Sequence, residues 1–182
     1  PDFNYKKILE VSGKEVKPLD KEEKNSLTFF TTNDYAWFNS VLYKNMAPND
    51  KSPYGNKTSE GIKRIVSHMD AALAKAPKKQ RTVYRGVNGG SQLFAGTTVH
   101  DWVDKNMVVG KDVIFDGYQS SSPNLQSANS YKGSYGGGLL YDIIAPEGIN
   151  VSEISMYPGE QEVILPRDAR YAVVGVQKKD ND

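Results

Sequence analysis

Cysteine is absent from the 182 residues, which excludes disulfides, thiolate chemistry and cysteine-ligated zinc and leaves the cellular compartment open. Histidine is almost absent. His68 and His100 stand far apart, so a metal site built on them is not expected and each reads as an ordinary half-exposed side chain. Neither sign of charge prevails, with 23 Lys and Arg against 22 Asp and Glu and a net charge of +1. General nucleic-acid binding depends on concentrated positive charge and is argued against, so any electrostatic steering has to be local. No apolar run approaches the ~18 residues of a membrane span, and the N-terminus lacks the hydrophobic region of a signal peptide. A soluble chain and a monomer are expected. The chain begins at Pro1 rather than Met, as a processed product or a cut domain would, so targeting information is expected to lie elsewhere.

The hydrophobic fraction of 38% over this length is enough to bury a core and suggests one domain over 1–182, with no repeat array. Residues 1–80 read mainly as helix. Asp20 with Glu23 three positions on marks a helix start, and Tyr35, Phe38, Val41 and Leu42 recur at helical spacing. A polar, proline-containing stretch from Ala47 to Lys57 precedes a second helix, whose stripe of Ile62, Ile65, Val66, Met69 and Leu73 is core and ends at Pro77. Lys75, Lys78, Lys79 and Arg81 cluster at that helix end, where the helix dipole and plain solvation account for them. Residues 81–182 read mainly as short strands divided by Gly, Asn and Asp, with a brief helix from Thr98 to Asp104. Helices first and strands later predict an α+β domain. Gly86, Gly89 and Gly90, and the run Gly136 to Gly138, lack the strand and helix context of a dinucleotide fingerprint and read as turns. The polar, glycine-rich stretch Pro123 to Gly138 reads as a flexible loop that orders over a ligand.

Chemistry concentrates in three segments. Tyr157-Pro158-Gly159-Glu160-Gln161-Glu162 runs into the apolar strand Val163-Ile164-Leu165. On an extended backbone Glu160 and Glu162 would point into one cleft while Gln161 faces away. Adjacent carboxylates drive their pKa values apart unless a cation or a shared proton relieves them. Taken alone, Glu-x-Glu is also what a polar loop end with two solvated charges looks like. Thr82 to Val87 reads as a strand carrying Arg85, with Gly86 leaving the backbone open to close approach by a ligand. Phe115 to Pro123 is another short strand ending in the hydroxyls of Ser120, Ser121 and Ser122.

In this order the three segments resemble the arginine, Ser-Thr-Ser and Glu-x-Glu signatures of the toxin-type mono-ADP-ribosyltransferases of bacterial toxins and phages, with the middle motif here Ser-Ser-Ser. The likeness continues from Leu139 to Val176 and covers the second half of the chain. It implies a mixed, mostly antiparallel two-sheet core framing a cleft, with N-terminal and flanking helices. It further implies NAD as substrate, no metal, and a target protein with an accessible arginine as partner. A secreted enzyme, or one delivered into a target cell, is the setting it implies.

The resemblance also distributes roles. Glu162 stabilises the cationic ribose formed as nicotinamide leaves and holds its 2′-hydroxyl, and Ser120 fixes the rotamer of that acid. Ser122 either shares this task or ties down the strand. Arg85 offers a charged fork to the pyrophosphate, with Gly86 beside it, the alternative being an ion pair to Glu160 or Asp116. Tyr131 is placed against nicotinamide, with Tyr135 as competitor. Glu160 marks arginine as the acceptor, because a guanidinium needs a carboxylate to orient it and to take its proton. Tyr157 is placed on the target protein, with plain packing as the alternative. A NAD glycohydrolase, with water as acceptor, and a non-catalytic NAD- or protein-binding module are the rival readings.

Overall fold

The computed structural model describes residues 18–32, 39, 42, 58–133 and 137–179. The expected helical stripe at Tyr35, Phe38 and Val41, the separating segment 47–57, Tyr135 and Gly136 lie outside these residues.

Helix α1 (Lys21–Phe30) starts where Asp20 and Glu23 predict. The Asp20 carboxylate accepts from the Glu23 N–H at 2.8 Å, and the Glu23 carboxylate accepts from the Asp20 N–H at 3.0 Å, so each satisfies a donor the helix itself cannot. Leu27 and Phe30 of α1 pack against Ile62, Met69 and Leu73 of α2 (Thr58–Ala74), and the apolar stripe of α2 is therefore core. Glu23 is buried and meets Lys75 Nζ at 2.7 Å just beyond α2. Lys78 likewise pairs with Glu147. Two members of the basic cluster are thus spent on ion pairs rather than on solvation and the helix dipole alone.

The strands of the second part are β1 (Arg81–Asn88), β2 (Asp112–Phe115), β3 (Gln119–Ser121), β4 (Gly138–Ala145), β5 (Ile149–Asn150), β6 (Val163–Leu165) and β7 (Ala169–Ala172). Helix α3 (Val99–Asn106) is capped by Thr98, whose hydroxyl accepts from the Asp101 N–H at 3.1 Å. Helix α4 (Leu125–Lys132) follows β3. Among the described residues every strand pairing is antiparallel: β1 with β4, β2 with β7, and β6 between β3 and β5. One bridge, Tyr84 N–H to Ser122 O at 2.7 Å and Ser122 N–H to Tyr84 O at 2.9 Å, joins the β1 sheet to the β3 sheet. The chain is α+β, with helices flanking antiparallel sheets.

Strand β6 explains why Val163-Ile164-Leu165 is apolar without a break. Alternate side chains of a strand face opposite ways. Val163 and Leu165 enter the core shared with Val83, Phe115 and Tyr141, while Ile164 enters the helical core with Phe30, Met69 and Tyr118. Tyr118 is wholly buried and donates its hydroxyl to Asp70 on α2. Arg167, just after β6, grips the same carboxylate at 2.8 to 3.1 Å. The acid-bearing turn before β6 therefore stands on a strand anchored at its other end.

Half of the stretch read as a flexible loop is helix α4. Asn124 caps it, its side chain accepting from the N–H groups of Gln126 and Ser127 at 2.9 and 3.3 Å, and Gly133 ends it with φ 69°. Gly86 serves this helix: a Cβ there would lie 1.9 Å from Ala128 O and 2.6 Å from Lys132 N. The close approach that glycine permits is made by the backbone of α4 rather than by a ligand. Gly86→Ala is accordingly expected to push the helix off β1 and to destabilise the fold by about 1–3 kcal/mol. An unchanged urea midpoint would show that α4 does not rest on this strand. No helix among the described residues is long and apolar enough to cross a membrane.

Candidate active site

Four elements bring the predicted residues together. Ser120 sits mid-way along β3, opposite Ile164 of β6, and Glu162 immediately precedes β6, so strand pairing sets serine beside acid. The Ser120 hydroxyl donates to Glu162 Oε2. Ser121, pointing the other way, donates to Val163 O at 2.7 Å and belongs to the fold. Ser122 bridges to Tyr84 through its backbone and accepts from the Asn124 N–H at 3.0 Å through its hydroxyl, which ties down the end of the strand and the start of α4.

Arg85 lies on β1, one strand over from Ser120. Its Nη1 donates to Ser120 O at 2.8 Å, a contact to backbone that the sequence carried no sign of. Its Nε is buried and has no hydrogen-bond partner among the described residues.

Glu162 is only 6% exposed. Burial pushes its carboxyl up to about 7, the Glu160 charge adds to the rise, and the Ser120 hydroxyl and the Arg85 charge oppose it. Near neutrality this acid is poised between its charged and neutral forms, as strongly shifted groups in functional clefts often are.

Glu160 reaches the same neighbourhood by a route different from the one expected. It ends a short 3-10 turn, Pro158–Glu160, and Gln161 takes a left-handed conformation with φ 51°. The Glu-x-Glu segment is therefore kinked, not extended, and the two acids are set by the turn rather than by strand alternation. Glu160 is half-buried, and Tyr131 of α4 donates its hydroxyl to Glu160 Oε1. Tyr131 and Tyr157 are each 45% exposed, as residues facing a ligand or partner can be. Nothing in the sequence signals this bond, because only the position of α4 brings the two side chains together. His68 is half-buried and His100 exposed.

An α+β core that sets an arginine, a serine-braced buried glutamate and a second glutamate around one sheet junction has the fold of the ADP-ribosyltransferase toxins. Vis of Vibrio splendidus, solved with agmatine, superposes with a TM-score of 0.67 at 17% identity, over 100% of this chain and 83% of that one. Exoenzyme S of Pseudomonas aeruginosa, solved with human 14-3-3 protein beta and carba-NAD, gives 0.65 at 22% identity, over 88% of this chain and 69% of that one.

In sequence, the chain belongs to the ADP-ribosyltransferase exoenzyme family, which matches residues 4–182. It is 31% identical over 122 residues to secreted exoenzyme S of Pseudomonas aeruginosa, a match that takes in 66% of this chain and spans 24% of that protein's length.

Proposed function

We propose that this chain is a NAD-dependent mono-ADP-ribosyltransferase that moves ADP-ribose from NAD to an arginine side chain of a target protein and releases nicotinamide. The observation that carries the reading is the buried Glu162, held by Ser120 with the second acid, Glu160, close enough to raise its pKa. In the reaction, the bond between ribose C1′ and the nicotinamide nitrogen breaks, and its electron pair leaves with nicotinamide. The ribose is left as an oxocarbenium-like cation, as in glycoside cleavage. Glu162 in its charged form stabilises that cation, and because Ser120 already fixes its rotamer, no reorganisation is needed as charge develops. The planar, charged fork of Arg85 suits the anionic diphosphate. Glu160 orients the incoming guanidinium and accepts its proton as the new C–N bond forms. Vis, a neighbour in fold, has been solved with agmatine, which carries the same guanidinium group. Without an acceptor, water takes the arginine's place, and a slower NAD glycohydrolase activity is expected. No step calls for a metal. Family relatives include a secreted exoenzyme, and delivery as a bacterial toxin or effector into a target cell is the setting proposed here.

The test incubates the protein with NAD labelled in the adenylate moiety, with and without agmatine, and follows labelled agmatine together with free nicotinamide. Labelled agmatine with release of nicotinamide is expected. Release without labelling would make the protein a glycohydrolase. Neither product, with NAD bound, would make it a binding module.

A further inference from the structure

The bond between Tyr131 and Glu160 joins the residue that the resemblance places against nicotinamide to the acid that the proposed reaction gives to the acceptor. Glu160 stands at the end of a single turn of 3-10 helix and is followed by a left-handed residue. A glutamate in such a place has several rotamers, and each must be given up before a guanidinium can be held in one orientation. Tyr131 is in the last turn of α4. That helix has a fixed seat: Asn124 caps its start, Gly133 ends it, and Gly86 admits its backbone to contact with β1. The phenol donates to one oxygen of the Glu160 carboxylate, Oε1. A carboxylate has about four acceptor sites on its two oxygens, so the acid can keep this bond and still accept from a guanidinium.

We propose that Tyr131 is a positioning residue for the arginine acceptor, and that its hydroxyl holds Glu160 in the orientation that receives the guanidinium. The inference rests on the arginine-transferase reading above and deepens it. The seat of Glu160 is thereby tied through α4 to β1, the strand that carries Arg85, so the acceptor side and the cofactor side of the cleft share one rigid support. The ring and the hydroxyl of Tyr131 have separate tasks. The resemblance gives the ring to nicotinamide, while the hydroxyl serves the acceptor.

Tyr131→Phe separates the two, because it keeps the ring and removes only the hydroxyl. Steady-state labelling of agmatine at saturating NAD is measured beside nicotinamide release without acceptor, on wild type and variant. The variant is expected to lose on the order of tenfold in kcat/KM for agmatine, the usual worth of a hydrogen bond to a charged group. Nicotinamide release should fall much less, so the ratio of transfer to hydrolysis drops, and the constants for agmatine should move more than those for NAD. A structural defect would lower both activities in step. If the wild type labels agmatine and the variant keeps the wild-type ratio, Tyr131 does not position Glu160 and the inference fails alone. If the wild type releases nicotinamide but never labels agmatine, the arginine reading fails and takes this inference with it.

Discussion

Glu162→Gln is expected to lower nicotinamide release and agmatine labelling together, by about 10²–10³-fold, because both pass through the same ribose cation and an amide has no charge to set against it. Affinity for NAD should change little, since a group that acts mainly in the transition state is lost from kcat rather than from binding. The same carboxyl should shape the pH profile. Burial raises it to about 7 in the free protein, so kcat/KM for NAD in the wild type should climb through neutrality and level off above it. The glutamine variant should lack that limb. Stability runs the opposite way. A carboxyl whose value is raised on folding contributes stability that is complete below its unfolded value of 4.5 and is lost as pH rises through about 7. At pH 8 the charged acid thus costs on the order of 3 kcal/mol that glutamine would not. The variant should melt above wild type at pH 8 and level with it at pH 4. Such a site would be held against stability for the sake of activity. A variant that releases nicotinamide at the wild-type rate would sink the mechanism, and identical melting curves at both pH values would show that Glu162 is not strained by burial.

Local signals carried the helices that begin with a cap or present an apolar stripe. Asp20 and Glu23 announce α1 by chemistry confined to one turn, and the stripe from Ile62 to Leu73 announces α2 by its period. Helix α4 shows neither clearly. Its one buried residue is Ala128, because the helix backbone lies directly on Gly86 and leaves no space between them for larger side chains. Only the punctuation of Asn124 and Gly133 marked its limits, and in a polar, glycine-rich context that punctuation reads as a loop.

The candidate site was legible as an ordered set of residue types, and its geometry was not. Arg85, Ser120 and Glu162 converge because β1, β3 and β6 lie side by side, a fact of long-range pairing. The left-handed Gln161 gave no warning, since glutamine is an ordinary residue at an unusual φ of 51°. The grip of Arg167 and Tyr118 on Asp70 runs from the residues flanking β6 and β3 to a distant helix and has no local pattern. Lys75 read as a solvated charge because its partner, the buried Glu23, is 52 residues away.

Glu160→Gln tests the division of labour between the two acids. In the proposed reaction Glu162 serves the departing cation and Glu160 the incoming guanidinium. An amide at 160 can still accept a hydrogen bond from Tyr131, so the turn should keep its shape, but it can neither pair with a cation nor take its proton. Agmatine labelling should therefore fall by about 10²-fold or more, the usual reach of general-base assistance. Nicotinamide release to water should persist. The substitution also lifts the negative charge that adds to the rise of Glu162. The pH limb of NAD cleavage should accordingly move down, toward lower pH, because the remaining acid ionises more readily. This shift is a second readout that does not depend on the acceptor. Retention of hydrolysis, loss of transfer and a downward limb would together place Glu160 on the acceptor side of the cleft. Equal loss of both activities would instead assign Glu160 to the chemistry of NAD itself, and a limb that stays in place would show that the two carboxylates do not sense each other across Gln161.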